Sequence, residues 1–511
     1  MENIVSNNKR IAKNTLVLYI RMLFLMFINL YTSRVILKAL GIEDYGIYNA
    51  VGGFVTMFSI ISSSLSTAIS RFITFELGKG NSTTTNKIFS TAIIIQLIIG
   101  LVILILAFSI GIWFLNTKMT IPANRLNATN WVFIFSAITF FVNLMSVPYN
   151  ACIIAHEKMT IFAYIGIVDA IGRLLISFLI IISPIDKLKM YAILLCLLSI
   201  IIRFLYIWYC KKNFEECNFK WIFKKDTIKE IFGFAGWNFI GASSGILKEQ
   251  GVNILLNLFC GPAINAARGI AVQVSTAVTQ FSQNFITAIN PQITKSYACK
   301  NYTYMMFLLE KGSKLSYFML FTLSLPIIVN TPYILGLWLG NFPNYSVIFV
   351  RLVLLVSIHE AISVPLITAM LATGKIRNYQ IVVGGIQLLN FPLSYITLRL
   401  GYAPEMVFVI ALLVSFACFI ARIYMLRKMI NFNINSFVKN VYFKIILVSA
   451  LSIIIPYLLT PYTNNEFRGF FINTSICVAL SLTNIYFVGC NKAEREYLNK
   501  IVKVIKHKIF K

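Results

Sequence analysis

The chain has 511 residues, 58% of them hydrophobic and only 12% charged, with a mean hydropathy of +0.78. So little polar surface cannot cover the core of a soluble protein of this size, which excludes a water-soluble globular chain. The net charge of +27 would suit a nucleic-acid binder, but no RNA- or DNA-binding motif accompanies it, and the placement of the charges gives it another cause.

Apolar runs long enough to cross a hydrocarbon core of roughly 30 Å recur along the whole length. Lipid offers no partners for backbone polar groups, so such runs become helices. The ten-residue alternating strands of a β-barrel are not visible. The pattern predicts an all-α integral membrane protein of about fourteen transmembrane helices. They fall at 14–38, 45–72, 88–114, 129–153, 161–183, 190–210, 231–259 and 264–290, then 315–335, 345–371, 379–399, 404–426, 441–460 and 468–490. The second, fourth, seventh and eighth are polar for membrane helices. The first is too long for a cleavable signal and lacks a small-x-small cleavage site.

Most of the 45 Lys and Arg fall on the N-terminal side of this map, among them Lys9, Arg10, Lys13, Lys158, Lys211, Lys212, Lys375, Arg427 and the tail from Lys492 to Lys511. Few fall on the other side, including Lys38, Lys118, Arg125, Lys187 and Arg399. This asymmetry places both termini in the cytoplasm and accounts for the basic charge without nucleic acid. Trp113, Trp131, Trp208, Trp221, Trp237 and Trp338 lie near predicted span ends, where amphipathic rings favour the interface. The tail carries Leu498, Ile501, Val502, Ile505 and Ile509 at helical spacing among lysines, a pattern suited to an anionic inner leaflet or to ordinary cytoplasmic charge on a short helix. The nine cysteines show no CxxC spacing and read as small packing residues, neither a disulfide framework nor a metal site.

Two stretches of the first half echo two of the second. Ala68-Ile-Ser-Arg-Phe-Ile-Thr74, running to Asn81, resembles Ala288-Ile-Asn-Pro-Gln-Ile-Thr294, running to Asn301. Val147-Pro148 with Ala155 and Lys158 resembles Val364-Pro365 with Ala372 and Lys375. The offsets are 220 and 217 residues, so the register is nearly constant. Six spans separate the copies, so both copies point the same way across the membrane. The expected architecture is two parallel six-helix bundles, residues 1–217 and 218–432, with two helices and a basic tail appended in 433–511.

Charges inside a membrane are the informative anomaly, because each costs about 2.5–3.5 kcal/mol at a helix centre on insertion scales. The basic ones here are Arg21, Arg34, Arg71, Arg173, Arg203, Lys248, Arg268, Arg351 and Arg422. Acidic ones are Asp169, Glu249 and Glu360, with Glu76 near an inner end. A cavity built from these is net cationic and favours an anionic substrate. Asp169 and Arg173 stand four apart on one helix, where pairing is the plainer reading. Arg203 and Arg422 lie near cytoplasmic ends and can snorkel. Lys248 and Arg268 are the mid-span candidates, with Glu249 pointing about 100° away from Lys248. Neutral polar faces accompany them: Gln273, Thr276, Gln280, Gln283 and Thr287 on the eighth span, and Gln250, Asn253 and Asn257 on the seventh. Serines at 59, 63, 66 and 70 on the second read more simply as close helix packing. His359 beside Glu360 reads as a locally satisfied pair before it reads as a proton relay. No catalytic constellation and no phosphate loop is present, so an enzyme or a built-in ATPase is not expected and no cofactor is implied.

Several stretches carry a family resemblance. They are Leu40-Gly-Ile-Glu-Asp-Tyr-Gly-Ile-Tyr48, Ser70-Arg-Phe72, Asn265-Ala-Ala-Arg-Gly-Ile-Ala271, Asn290-Pro-Gln-Ile293, Leu335-Gly-Leu-Trp-Leu339 and Ala372-Thr-Gly-Lys-Ile-Arg377. In order and spacing, over nearly the whole chain, the sequence resembles the polysaccharide flippases of the MATE-like MOP exporter superfamily, the Wzx-type O-antigen, lipopolysaccharide and capsule flippases. The resemblance implies two six-helix lobes around an amphipathic cavity in the bacterial inner membrane. It implies an undecaprenyl-diphosphate-linked oligosaccharide as cargo, carried outward by alternating access beside membrane lipids. The cationic-lumen role passes to Arg21, Arg34, Arg71, Lys248 and Arg268, because guanidinium and ammonium groups are natural partners of phosphate oxygens. The glycan would meet Gln250, Asn253, Gln273, Gln280 and Gln283. Asp169, Glu249 and Glu360 are the candidates for coupling to Na+ or H+. A cation-coupled multidrug exporter of the same fold ranks second, since a cationic lumen repels organic cations. A membrane glycan polymerase or ligase is a distant third, since its kind needs a large external loop.

Overall fold

The computed structural model describes residues 2–499 apart from 57–58, 119–122, 222–224, 261, 340–341, 464–466, 493 and 497–498, together with only part of the side chains in some helices. The side chains of Arg34, Gln250 and Asn257 and most of the basic tail lie outside the described residues. Every regular element described is helical, and ten helices are long and apolar enough to cross a membrane. The chain is an all-α, multi-pass membrane protein.

Chain contacts divide it into two units: residues 1–243 with 288–301, and residues 244–287 with 302–511. The first unit contains α1 (Glu2–Thr56), α2 (Ser59–Gly78), α3 (Ser82–Leu106), α4 (Leu126–Ala155), α5 (Met159–Leu179) and α6 (Lys187–Asn213). Two further helices, α7 (Lys225–Cys260) and α8 (Pro262–Ala298), are shared by the division. α1 holds the first predicted span and the start of the second, separated by a kink at Gly41, whose φ of 80° suits a residue without a side chain. Burial runs opposite to a soluble protein's. Leu16, Phe27, Ile105 and Ile182 are exposed, whereas Thr85, Ser90, Thr91, Gln96, Thr129 and Ser177 are buried between helices. Small and polar residues let membrane helices approach closely, and lipid covers the rest.

Two polar knots close the first unit. On the side opposite the N-terminus, Arg125 bonds both Asp44, just beyond the kink, and Asp186, which also caps α6 through the amides of Leu188 and Lys189. Desolvation works against the ionised Asp186, but the Lys189 amide and Arg125 outweigh it and hold the carboxyl below its ordinary range. Arg125 is held above its usual value by the two carboxylates, against the opposing effect of burial. On the N-terminal side, the fully buried carboxylate of Glu157 meets Arg10 at 2.8 Å, Lys295 at 2.9 Å and the Gln292 amide at 2.7 Å. Asn14 donates to the Glu157 backbone carbonyl at 3.1 Å.

The second unit adds α9 (Tyr302–Val329), α10 (Ser346–Ala372), α11 (Arg377–Arg399), α12 (Met406–Ile430), α13 (Phe443–Thr463) and α14 (Phe467–Asn484). α11 is broken at Leu389, and π-helical turns precede α13 and follow α14. α13 and α14 pack on each other and on α9. There the buried Lys314 donates to the Gly489 carbonyl at 3.0 Å and meets Glu494 at 2.9 Å. α9 begins at Tyr302, before the predicted apolar span, and this knot covers Lys314 just ahead of that span.

The repeat read from sequence recurs in the backbone. α4 and α10 carry Pro148 and Pro365 in their interiors and end at Ala155 and Ala372. Each is followed two residues later by a left-handed residue, Glu157 (φ 59°) and Gly374 (φ 75°). α2 and α8 end at Gly78 and Ala298, and each is followed by another, Gly80 (φ 74°) and Lys300 (φ 55°). Turn geometry is thus conserved between the halves at the offsets of 220 and 217 residues, although few side chains are.

Candidate functional site

In the first unit, Arg21 on α1 lies against α5. Its guanidinium carbon stands 4.5 Å from the centroid of the Phe162 ring, a cation–π contact. Beside it is Gly166, where a Cβ would come within 2.5 Å of the Arg21 Nε. That Nε is buried and has no hydrogen-bond partner. One turn along α5, Asp169 accepts from Arg173 at 3.0 Å, the pairing that four-residue spacing allows. Asp169 makes its direct ion pair with Arg173 and none with Arg21. Arg71, in the second half of α2, has three rings around it, with centroids at 4.6 Å (Phe72), 4.7 Å (Phe75) and 5.7 Å (Phe234). Neither Gly166 nor Phe162 stands out in the sequence. A glycine or an aromatic in a membrane helix reads as packing, and only its partner gives it a role.

In the second unit a cavity of about 290 Å³ gathers Lys248, Glu249, Arg268, Ser275, Thr276, Thr279, Gln283, Ser357, Glu360 and Asn390. Four helices supply them, α7, α8, α10 and α11. Arg268 donates to the backbone carbonyl of Glu249 at 2.9 Å and to Asn253 at 3.3 Å. It is held by neutral groups and keeps its charge. Ser275 and Ser357 share a hydrogen bond of 2.7 Å across the cavity wall. Of the amides predicted to face a lumen, Gln283 lines this cavity and Asn253 holds Arg268, while Gln273 and Gln280 are exposed outside its lining.

Three expectations change here. Lys248 does not face the cavity alone: it meets Glu360 at 3.0 Å, and Glu249 lines the same cavity beside it. Glu360 is thereby engaged and does not pair with His359. That imidazole bonds Ser415 at 2.8 Å and lies 4.0 Å from the Phe416 ring. Arg422 does not snorkel. It is only 5% exposed, with a buried Nε that has no partner.

Comparison with known proteins fits this build. A family model described as polysaccharide biosynthesis protein matches residues 11–297, more than half of the chain. The chain belongs to the polysaccharide biosynthesis protein family. The uncharacterized membrane protein EpsK of Bacillus subtilis (strain 168) is 21% identical over 331 residues, covering 63% of this chain. The chain spans 64% of the length of that curated relative. Among solved structures, a MATE protein in complex with MaL6 matches with a TM-score of 0.72 at 11% identity, over 83% of this chain and 96% of that one. A MOP superfamily transporter from Pyrococcus furiosus, for which reverse polarity of the binding pocket suggests a different function, matches with the same TM-score, identity and coverage. This polysaccharide biosynthesis family member has the fold of the MATE transporters.

Proposed function

We propose that the protein is a flippase that moves an undecaprenyl-diphosphate-linked oligosaccharide from the cytoplasmic to the periplasmic leaflet of the bacterial inner membrane by alternating access. The carrying observation is the second-unit cavity, where Arg268 is fixed by neutral partners beside hydroxyls and an amide. A diphosphate head is strongly anionic, and a guanidinium held by a carbonyl and an amide oxygen keeps its charge for phosphate oxygens. Hydroxyls and amides are the matching partners for a glycan. Arg21 adds a cation on an aromatic and a glycine, and Arg71 one among three rings; Arg34 is assigned the same role. On this reading residues 1–217 and 218–432 are the two lobes, 433–511 are appended, both termini are cytoplasmic, and the product is a surface polysaccharide such as O-antigen or capsule. Cells lacking the protein should accumulate lipid-linked sugars on the cytoplasmic face, and unchanged lipid-linked sugars would refute the assignment.

A multidrug exporter of the same fold is the second reading. It is favoured by the MATE neighbours and by two carboxylates, Glu249 and Glu360, at the same cavity, where Na+ or H+ coupling would act. Asp169, paired with Arg173, is the first-unit candidate for coupling. Export of cationic dyes by cells carrying the protein would favour this reading.

A further inference from the structure

A second, smaller cavity of about 140 Å³ lies in the same unit, bounded by Lys248, Glu360, Ser363, Gln387, Ser415 and Arg422. The residues recur at helical spacing, Glu360 and Ser363 on α10 and Ser415 and Arg422 on α12, so whole helix faces are turned toward it. Lys248 and Glu360 cancel one another at 3.0 Å. Arg422 has no such partner. It is 5% exposed, its Nε is buried without a hydrogen-bond partner, and no carboxylate forms an ion pair with it among the described residues. The Ser363 hydroxyl, 2% exposed, is likewise buried and unpartnered. Ser415 spends its hydroxyl on His359. A guanidinium cannot shed its proton, and an uncompensated buried charge is among the most costly features a fold can hold.

We infer that this cavity binds a small monovalent inorganic anion, chloride being the representative probe, between the Arg422 guanidinium, the Ser363 hydroxyl and the Gln387 amide. The anion neutralises Arg422 and satisfies both orphaned donors at once. A water molecule occupies about 30 Å³ in the liquid, so the space holds a halide with a few waters. A lipid phosphate offers the same charge, but its bulk and its attachment to the bilayer fit poorly with a guanidinium so nearly enclosed. Lys248 and Glu360 line this cavity and the larger one, but Arg268 does not line this one, and the halide site needs no cargo to be tested.

The test uses the full-length protein in nanodiscs of neutral lipid, with sodium chloride or bromide replacing sodium gluconate at constant ionic strength. The Tm of the wild type should rise saturably with halide, and equilibrium dialysis with labelled chloride should give about one ion per chain, as a single-site ligand that binds only the folded state requires. In gluconate, Arg422→Gln should melt at or above the wild-type temperature, because it removes an uncompensated charge, and it should lose the halide response. A merely structural arginine would give the opposite order. Ser363→Ala should weaken the response several-fold, and it decides the matter alongside dialysis if Arg422→Gln does not fold. A wild-type Tm indifferent to halide, an Arg422→Gln variant with an unchanged response, or a response obtained only with anionic lipid would overturn the site.

Discussion

Arg21 occupies the space that a side chain on residue 166 would need. An alanine there would put a methyl within 2.5 Å of the Arg21 Nε, so the guanidinium must leave the Phe162 face. The clashing atoms belong to the far end of a long flexible chain, so stability should fall by no more than about 1 kcal/mol. Gly166→Ala should therefore reduce surface glycan export as far as Arg21→Gln does, at near-normal Tm; full export in Gly166→Ala cells would deny Arg21 its place in transport. Lys248 and Glu360 make a different case. Glu360 has 47% of its side chain exposed and Lys248 only 15%. Water at the carboxylate screens the pair, and a double-mutant cycle with Lys248→Met and Glu360→Gln should return a coupling below about 1 kcal/mol. A coupling of several kcal/mol would mean a drier pair than the structure holds. Both cations were visible in the sequence as charges within spans. Their partners were not, because Gly166 lies 145 positions from Arg21 and Glu360 lies 112 from Lys248.

At the scale of elements, the lengths of the apolar runs locate the helices, and the helices extend beyond the runs at their ends. Lys311 and Lys314 end the apolar run ahead of the ninth predicted span, and Glu494 beyond α14 is the carboxylate that meets both. The αL turns after α4 and α10 show what the repeat preserves. Gly374 takes a left-handed φ at little cost, whereas Glu157 takes it at some cost and returns a carboxylate that binds Arg10, Gln292 and Lys295. Glu157→Gln keeps the turn and leaves two cations without their buried anion. It should cost about 2 kcal/mol, less than a fully buried pair would, because Arg10 can reach water. Glu157→Gly, which relieves the φ, should be no better, and a Tm restored by glycine would show that the turn and not the charge matters. The knot on the opposite side responds to acid. Asp186 has a lowered folded pKa, so its contribution is complete above its unfolded value of about 3.9 and is lost as pH falls through the lower folded one. The Tm should hold down to about pH 4 and decline below it. Asp186→Asn, which still caps α6, should show a shallower decline over the same window, and an identical acid limb would remove Asp186 from the account.

For the whole molecule the distribution of charge decides what can be carried. Membrane class followed from composition, because it depends on an average over many residues. The chemistry of the cavity depends on a few contacts between distant helices, which no single span records. Each unit keeps a cation that forms no direct ion pair among the described residues, Arg21 against an aromatic ring and a glycine, and Arg268 bonded to a carbonyl and an amide. If these charges serve an anionic cargo, neutralising either removes a charge-assisted contact worth about 1.5–3 kcal/mol, a loss of roughly tenfold or more in export. Lysine should restore only part of it, because a point charge lacks the planar fork that grips two phosphate oxygens. The double variant Arg21→Gln/Arg268→Gln then separates two modes of carriage. Losses that add describe a cargo meeting the two cations independently, and losses that saturate describe one diphosphate engaged by both. Surface glycan measured alongside the inserted protein reads both quantities. Normal export in the double variant would leave the buried cations without an anionic purpose, and cationic-dye efflux gained by the same variant would move the protein toward the drug exporters whose fold it shares.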